Sequence, residues 1–244
     1  MNCFFERPLT VNSHDCDLNG VLSPSGTLRY LQEIANLHTE NAGCGYDRLI
    51  ADGRAFVLSR VAVDVHRPIR AYEKVIARTW PCESRGVTFF RSTQLLANGE
   101  PAAELTSIWA LLHIADKSIV RVKDADYGLI EGEALELSAP LKFRIPQELP
   151  LAEAGRYKVG YSVCDRNMHM NNTRYPDMLC DFIPPLVGQR LSELSISFLA
   201  ESHLGEELQV FAARDGGSGA YYFRTVRQSD GKTGVEARMT FLPL

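Results

Sequence analysis

The most constraining feature of this sequence is an internal repeat, because the second half follows the order of the first. An Asp-x-Asn triplet at residues 17–19 precedes a helical stretch, and a second triplet at residues 165–167 does the same. A glycine-led aromatic run that ends in arginine also recurs, at residues 86–91 and at residues 219–224. Repetition of this kind indicates two copies of one supersecondary unit that pack against each other.

Turn signals within each copy predict antiparallel strands. The pairs Asn98-Gly99 and Asp230-Gly231 are two-residue hairpin signals between runs rich in strand-forming residues. The predicted strands are residues 89–96 and 102–113 in the first half, and residues 221–227 and 234–242 in the second. Each copy therefore predicts a turn, a helix and then antiparallel strands.

The predicted helices follow the two triplets. Ser23 and Pro24 supply an N-cap and a first-turn proline, and apolar residues recur at helical spacing up to Gly43. A shorter helix is expected in the second half, capped within residues 171–173 and ended by a later pair of prolines. A helix wrapped by an antiparallel sheet, twice in tandem, would let the two sheets join edge to edge and hide their edge strands. The sequence predicts an α+β fused pseudo-dimer.

A linker separates the two copies. Residues 116–150 carry few periodic apolar residues and end in a proline-rich stretch, which is the composition of a connection that runs across a surface. We place the boundary near Pro146. The predicted units are residues 1–145 and residues 146–244.

Composition and charge exclude several classes of protein. A net charge of −4 without runs of like charge argues against nucleic-acid binding. The longest nearly apolar run, residues 108–115, is far shorter than the ~18 residues of a membrane-spanning helix. The amino-terminal residues lack the basic region and the apolar stretch of a secretion signal. A cytoplasmic location is therefore expected. The six cysteines form no C-x-x-C pair, and no phosphate-binding glycine loop occurs, so neither a metal nor an organic cofactor is expected.

The two copies differ in polarity beside the second triplet. When the triplets are aligned, Val21 takes the place of His169. Asp165, Asn167 and His169 are spaced two apart, so an extended segment would aim all three side chains at one face, just before a helix start that favours negative charge. Acyl transfer needs such a base or polariser beside an oxyanion site. The alternative is that Asp165 and Asn167 only cap a turn, as Asp17 and Asn19 would in the first half, and that His169 is a satisfied polar residue.

Water is the expected nucleophile. No Gly-x-Ser-x-Gly elbow is present, and on an extended segment Cys164 would point away from its neighbour Asp165. Residues 194–201 alternate with period two, which predicts a strand that carries Glu201 on the face opposite Leu194. Glu201 is a candidate base, because the equivalent position in the first half is an arginine. The alternative is a solvated carboxylate at a strand end.

Residues 165–175, Asp-Arg-Asn-Met-His-Met-Asn-Asn-Thr-Arg-Tyr, closely resemble the D-x-N-x-H-x-N-N-x-x-Y signature of the acyl-acyl carrier protein thioesterases of plant plastids and bacteria. The resemblance extends over nearly the whole chain and implies a double hotdog, with a long helix in an antiparallel sheet in each half. It also implies an active site formed by the following residues: Asp165, Asn167, His169 and Glu201. Many plant members have a cysteine after that glutamate, whereas this chain has Ser202, which weakens any role for a thiol.

The resemblance further implies a division of labour between the halves. The amino-terminal half would supply the acyl pocket and the carboxy-terminal half the catalysis. Candidate substrate-binding residues are Asn171, Asn172, Leu28, Leu31 and Trp109. Core packing explains the apolar members of this set equally well. The implied partner is an acyl carrier protein with a phosphopantetheine-linked acyl chain, and the chain would act as a monomer with an internal pseudo-dimer or as a homodimer.

These observations favour the hydrolysis of fatty acyl-carrier-protein thioesters to free fatty acid by activated water. Three alternatives remain open at this stage. The first is an acyl-CoA thioesterase, and the second is a hotdog 3-hydroxyacyl dehydratase, although the asparagine-rich signature is not its usual pattern. The third is a non-catalytic acyl-binding module, in which His169 and Glu201 would be dispensable.

Overall fold

The computed structural model describes residues 3–244. The strands of the first half are β1 (Phe5–Thr10), β2 (Arg54–Val65), β3 (Lys74–Arg85), β4 (Thr88–Ala97), β5 (Glu100–His113) and β6 (Ile119–Val120). Those of the second half are β7 (Ala152–Lys158), β8 (Gln189–Phe198), β9 (Glu207–Arg214), β10 (Tyr221–Arg227) and β11 (Thr233–Pro243). The helices are α1 (Pro24–Asn41), α2 (Tyr46–Ala51) and α3 (Tyr175–Cys180). No helix within the described residues is long and apolar enough to cross a bilayer.

One sheet runs through both halves. Its order is β1-β3-β4-β5-β2-β8-β11-β10-β9-β7, with β6 paired to β5. The halves meet where β2 pairs with β8 in antiparallel register, from Arg60 opposite Ser197 to Asp64 opposite Glu193. This junction covers one edge of each half, which removes unpaired backbone groups from solvent. The predictions of an α+β class and of sheets joined edge to edge are confirmed.

Helix α1 forms where the caps and the periodicity predict it. The Gly26 backbone N–H donates to Ser23 Oγ at 2.9 Å, and Pro24 occupies the first turn. Leu28 and Leu31 on its buried face are fully inaccessible to solvent. The helix ends at Asn41, two residues before Gly43, whose φ of +74° a helix cannot continue.

Helix α3 is much shorter than α1, which confirms the shorter helix expected from the residues of the second half. Within the described residues, the long helix that the family resemblance implies for each half is present in the first half alone. A single turn at Asn172–Arg174 leads into it, and Asn171 Oδ1 caps that turn by accepting from the Thr173 N–H at 2.9 Å. After α3 the backbone changes to a tighter turn, in which the Phe182 N–H donates to the Leu179 carbonyl at 3.1 Å. The prolines that follow cannot continue a helix.

The starts of α1 and α3 are bonded to each other across the halves. Asp177 accepts from the Ser25 N–H at 2.7 Å and from the Ser23 hydroxyl at 3.0 Å, while the Ser25 hydroxyl accepts from the Asp177 N–H at 2.9 Å. Residues from each half therefore satisfy free backbone N–H groups of the other.

Strand β8 ends at Phe198, so the prediction of a strand through Glu201 is wrong at its end. The Leu199 and Ala200 N–H groups both donate to the Gly234 carbonyl, at 2.8 and 3.0 Å. Because Leu199 and Ala200 share one partner residue on β11, side chains no longer alternate between the two faces of the sheet beyond this point. Glu201 therefore lies in the loop after the strand.

The linker crosses the outer face of the sheet. Asp64 in β2 accepts from the Ser138 and Ala139 N–H groups at 2.6 and 2.9 Å, and Trp80 Nε1 donates to the Glu133 carbonyl at 2.6 Å. These contacts hold the connection on the sheet, as its composition indicates. The boundary near Pro146 lies in this segment and stays a prediction.

Candidate active site

The signature begins in a tight turn, and the prediction of an extended segment there is wrong. The Asp165 N–H donates to the His169 carbonyl at 2.9 Å, and the Met168 N–H donates to the Asp165 carbonyl at 3.0 Å. Met168 has a φ of +61°, which closes the turn. The Asn167 N–H donates to Asp165 Oδ1 at 2.8 Å, so the Asp165 carboxylate fixes the turn that presents Asn167.

The first half contains the same turn with a different environment. The Asn19 N–H donates to Asp17 Oδ1 at 2.8 Å, so turn capping is common to both triplets. The Asn19 side chain is fully used on backbone groups of residues 186–189. Asn167 instead accepts one hydrogen bond at Oδ1, from the Tyr46 hydroxyl of α2 at 2.8 Å. Among residues 3–244, the second turn thus leaves the Asn167 amide nitrogen without a partner, whereas the Asn19 amide nitrogen of the first turn has two.

A short ladder brings His169 to the loop after β8. His169 lies opposite His203 in an isolated antiparallel bridge, and the Met170 N–H donates to the Ser202 carbonyl at 2.8 Å. This pairing places His169 Nδ1 3.6 Å from Glu201 Oε1. The His169 side chain is 24% exposed and that of Glu201 is 49% exposed, so both reach solvent.

Two hydrogen bonds fix the backbone at Glu201 and Ser202. Arg227 Nη1 donates to the Glu201 carbonyl at 2.7 Å. Ser202 is buried, and its Oγ accepts from the Tyr175 hydroxyl at 2.9 Å. Burial raises the pKa of Tyr175 to about 12, so it donates as a neutral phenol. Ser202 therefore supports the loop and is not presented to a ligand.

Sequence reasoning missed His203. Its ring meets that of His169 edge to face, with centroids 4.5 Å apart. One donor atom from each of His169, Glu201 and His203 lies within 4.8 Å of the others, and two imidazoles with a carboxylate could hold a divalent cation such as zinc. The signal in the sequence is the Glu-x-His spacing of residues 201–203.

A cavity of about 1280 Å³ contains this site and extends into the first half. The sequence-predicted residues that line it are Asp165, Asn167, His169, Glu201, Asn171, Asn172 and Trp109. Its apolar wall in the first half includes Leu49, Phe56, Phe89, Leu112 and Tyr127. Leu28 and Leu31 line a separate void of about 10 Å³ that shares Trp109 with the cavity. The roles of all these residues in substrate binding or catalysis stay predictions.

The cysteines form no disulfide in the structure. The Cys164 thiol donates to the Gly160 carbonyl at 3.3 Å. Its pKa is raised, first by loss of solvent and then by the Asp165 carboxylate. A raised pKa makes this thiol a poor nucleophile.

The fold and site together define a two-unit protein in which one half carries a histidine–carboxylate pair and both halves enclose the cavity. The model of the acyl-ACP thioesterase N-terminal domain matches residues 2–128, and that of the C-terminal domain matches residues 149–243. The chain belongs to the acyl-ACP thioesterase family.

Relatives agree with this assignment. The chain is 23% identical to the palmitoyl-acyl carrier protein thioesterase, chloroplastic, of Cuphea hookeriana, with 98% of this chain and 62% of the relative aligned. The crystal structure of an acyl-ACP thioesterase from Bacteroides thetaiotaomicron superposes with a TM-score of 0.82 at 21% identity, over 98% of each chain. The 12:0-ACP thioesterase from Umbellularia californica also gives 0.82 at 16% identity, over 100% of this chain and 99% of that one. The predicted double hotdog is confirmed.

Proposed function

We propose that this protein hydrolyses acyl-carrier-protein thioesters to free acids by activating water. The observation that carries the proposal is the His169–Glu201 pair, 3.6 Å apart on the wall of a cavity of about 1280 Å³. Family membership supports it. The chain spans about three fifths of the length of the curated relatives it matches, so their activity serves here as support for the proposal.

The geometry suggests a role for each side chain. Glu201, held at 3.6 Å from His169 Nδ1, accepts a proton from water as the water oxygen bonds to the thioester carbon. The C–S bond then breaks, and the leaving sulfur receives that proton through the Glu201–His169 pair. The acid and the carrier thiol are the products, so the atoms of one water balance the reaction.

Asn167 is the residue we assign to the developing oxyanion. Its Oδ1 accepts from the Tyr46 hydroxyl at 2.8 Å, which orients the amide and leaves Nδ2 to donate to the thioester oxygen. Asp165 acts on the turn that presents Asn167, through the 2.8 Å hydrogen bond to its N–H. Asp165 is therefore a positioning residue.

We further propose an acyl carrier protein as the partner, with its phosphopantetheine arm in the cavity, and a cytoplasmic location. Arg166 and Lys232 at the cavity are exposed basic groups, and an acidic carrier would compete for them with their present ion-pair partners, Asp47 and Asp230. The internal pseudo-dimer needs no second copy to complete the site, so a monomer is the simplest active state, with a homodimer as the alternative.

Product analysis tests the function directly. The purified protein is given acyl-carrier-protein and acyl-CoA thioesters of several chain lengths, with and without a chelator, and both thiol and acid are quantified. Equal amounts of thiol and free acid are expected, with the carrier-protein thioesters preferred and no effect of the chelator. An enoyl thioester from a 3-hydroxyacyl substrate would indicate a dehydratase instead. Binding without any product would indicate an acyl-binding module.

A further inference from the structure

A buried arginine in the first half has no anionic partner among the described residues. Arg91 projects from β4 toward α1, and only 8% of the residue is exposed. Within residues 3–244, no carboxylate lies within ion-pair distance of its guanidinium. Burial lowers its pKa to about 10, so Arg91 is charged at neutral pH. A buried charge without a counter-ion is costly, and proteins rarely retain one without a use for it.

The groups around Arg91 are neutral. Burial, followed by the charge of Arg91, lowers the pKa of His38 to about 4, so His38 is an uncharged acceptor. The thiols of Cys44 and Cys82 are also close, and burial raises the pKa of each. None of these groups compensates the positive charge.

One edge of the Arg91 guanidinium is free. Nη1 donates to His38 Nδ1 at 3.1 Å and to Thr79 Oγ1 at 3.3 Å, whereas Nε and Nη2 form no hydrogen bond within the described residues. Nε and Nη2 make up the edge with which arginine binds a carboxylate through two parallel hydrogen bonds. Because Arg91 lines the large cavity, a molecule in that cavity can reach it.

The same interior holds a further polar group without a partner. Gln32 of α1 lines the cavity, and its Oε1 is buried with no hydrogen-bond partner in the described chain. An alkyl chain of pure hydrocarbon would leave the charge of Arg91 uncompensated. Gln32 Oε1 only accepts hydrogen bonds, so a carboxylate cannot satisfy it, and the group that selects an anion is Arg91.

We propose that Arg91 binds a carboxylate carried by the acyl chain away from the thioester, so that the preferred substrates are monothioesters of dicarboxylic acids. This inference rests on the proposed hydrolysis of acyl thioesters and names the substrate class for that site. The carboxylate supplies the missing counter-ion, and its two oxygens fit the free edge of the guanidinium. A methyl-ended chain of the same length would bury the cation further without compensating it.

Matched substrates test this preference. Carboxyl-ended and methyl-ended acyl groups of equal carbon number are compared on the same carrier, and kcat/KM is measured for each. Wild type is expected to favour the carboxyl-ended thioester by about 10- to 100-fold at the best length, the range expected for hydrogen bonds between charged groups. Arg91→Met is expected to reverse the order. Arg91→Lys, which keeps the charge but lacks the planar fork, is expected to retain part of the preference.

A matched control separates Arg91 from general charge in the cavity. Arg54 also lines the cavity, is only half-buried and donates to the Asp124 carbonyl at 3.4 Å. Arg54→Met is expected to keep the wild-type ratio of the two substrates. Arg91→Met removes an uncompensated buried charge, so this variant is expected to fold, and circular dichroism checks that it does. If Arg91→Met does not fold, Arg91→Gln replaces it in the same comparison.

Calorimetry gives a readout that does not require turnover. Wild type is expected to bind an α,ω-dicarboxylate more tightly than the monocarboxylate of equal carbon number, and Arg91→Met is expected to lose the difference. Equal affinity in wild type, an unchanged substrate ratio in Arg91→Met, or a preference for a hydroxyl-ended chain would each overturn the inference. Efficient hydrolysis of methyl-ended substrates alone would overturn it while leaving the proposed function intact. If no thioester is hydrolysed, the proposed function fails, and the calorimetry still decides the role of Arg91.

Discussion

The chemistry proposed for this protein depends on two side chains that are brought together by backbone pairing between their loops. His169 and Glu201 are 3.6 Å apart although they come from different loops. Each single variant, His169→Ala or Glu201→Ala, is expected to lower kcat by ~10²–10⁴, the usual effect of losing a positioned acid or base. Because they act as a unit, the double variant is expected to fall little below the worse single variant.

Binding provides the control for this pair. Affinity for a non-hydrolysable acyl analogue should survive in all three variants, since most of the apolar wall lies in the first half. A kcat close to wild type in Glu201→Ala would remove Glu201 from the mechanism. Losses that multiply in the double variant would assign the two residues to separate steps.

Ser202 illustrates a residue that lies next to the chemistry without taking part in it. Its Oγ accepts from the buried Tyr175 hydroxyl at 2.9 Å. Ser202→Ala leaves that hydroxyl unpaired, so the free energy of unfolding is expected to fall by about 1–3 kcal/mol while kcat changes little. Urea denaturation and steady-state kinetics measure the two effects. Cys164→Ala is the matched control and should alter neither strongly; an acyl adduct trapped on either residue would reinstate covalent catalysis.

At the scale of single elements, the last turn of α1 carries a pH-dependent contact. His38 accepts from Arg91, and its ring stacks on Phe5 of β1 with centroids 5.1 Å apart. Burial lowers its pKa from 6.5 to about 4. The unfolded chain therefore binds a proton at His38 more readily than the folded chain does.

The stability contributed by neutral His38 is expected to be complete above pH 6.5 and to be lost as the pH falls toward 4. Denaturation across this range should show a smaller pH dependence in His38→Gln than in wild type. His14→Gln is the control, because the His14 side chain is 79% exposed. A pH dependence that is the same in His38→Gln and wild type would contradict the assignment.

The paired starts of α1 and α3 give a second prediction for the elements. Asp177→Ala removes an acceptor for the Ser25 N–H and the Ser23 hydroxyl, so a loss of about 1–2 kcal/mol in the free energy of unfolding is expected, as for other helix caps. Asp181→Ala is the control at the opposite end of α3, where Asp181 is the C-cap residue. Burial and the charge of Asp177 raise the pKa of Asp181, so its removal should cost little. Equal losses in the two variants would argue against the capping role.

The sequence predicts the elements well where the signal is local. The Asn98-Gly99 and Asp230-Gly231 signals correctly locate two hairpins, since turn type is set by the turn residues themselves. The end of β8 could not be predicted in this way, because the Gly234 carbonyl that interrupts the ladder belongs to β11, which pairs with β8 in the sheet but is remote from it in sequence. At Asp165 the sequence left an extended segment and a capped turn both open, because spacing alone does not reveal that Met168 adopts a positive φ.

At the scale of the whole molecule, the candidate site is only partly contained in the signature. The motif identifies His169 and Asn167, yet His203 and Tyr46 reach them only through folding. The unpaired charge of Arg91 is likewise invisible in the sequence, since nothing local distinguishes it from a solvated arginine. The sequence does predict where the two halves differ in polarity: His169 of the second half replaces Val21 of the first, and His169 lines the polar part of the cavity.

The contact between Tyr46 and Asn167 joins the halves at the site, so its removal should affect chemistry more than binding. The Tyr46 hydroxyl donates to Asn167 Oδ1 at 2.8 Å, and Arg166 lies over the same ring with its guanidinium 3.0 Å from the centroid. Tyr46→Phe keeps the ring under Arg166 but frees the Asn167 amide to rotate, so kcat is expected to fall by about tenfold with little change in KM, consistent with one lost hydrogen bond. In an Asn167→Ala background the same change should have no further effect on kcat, whereas a purely structural role for Tyr46 would lower kcat in both backgrounds equally.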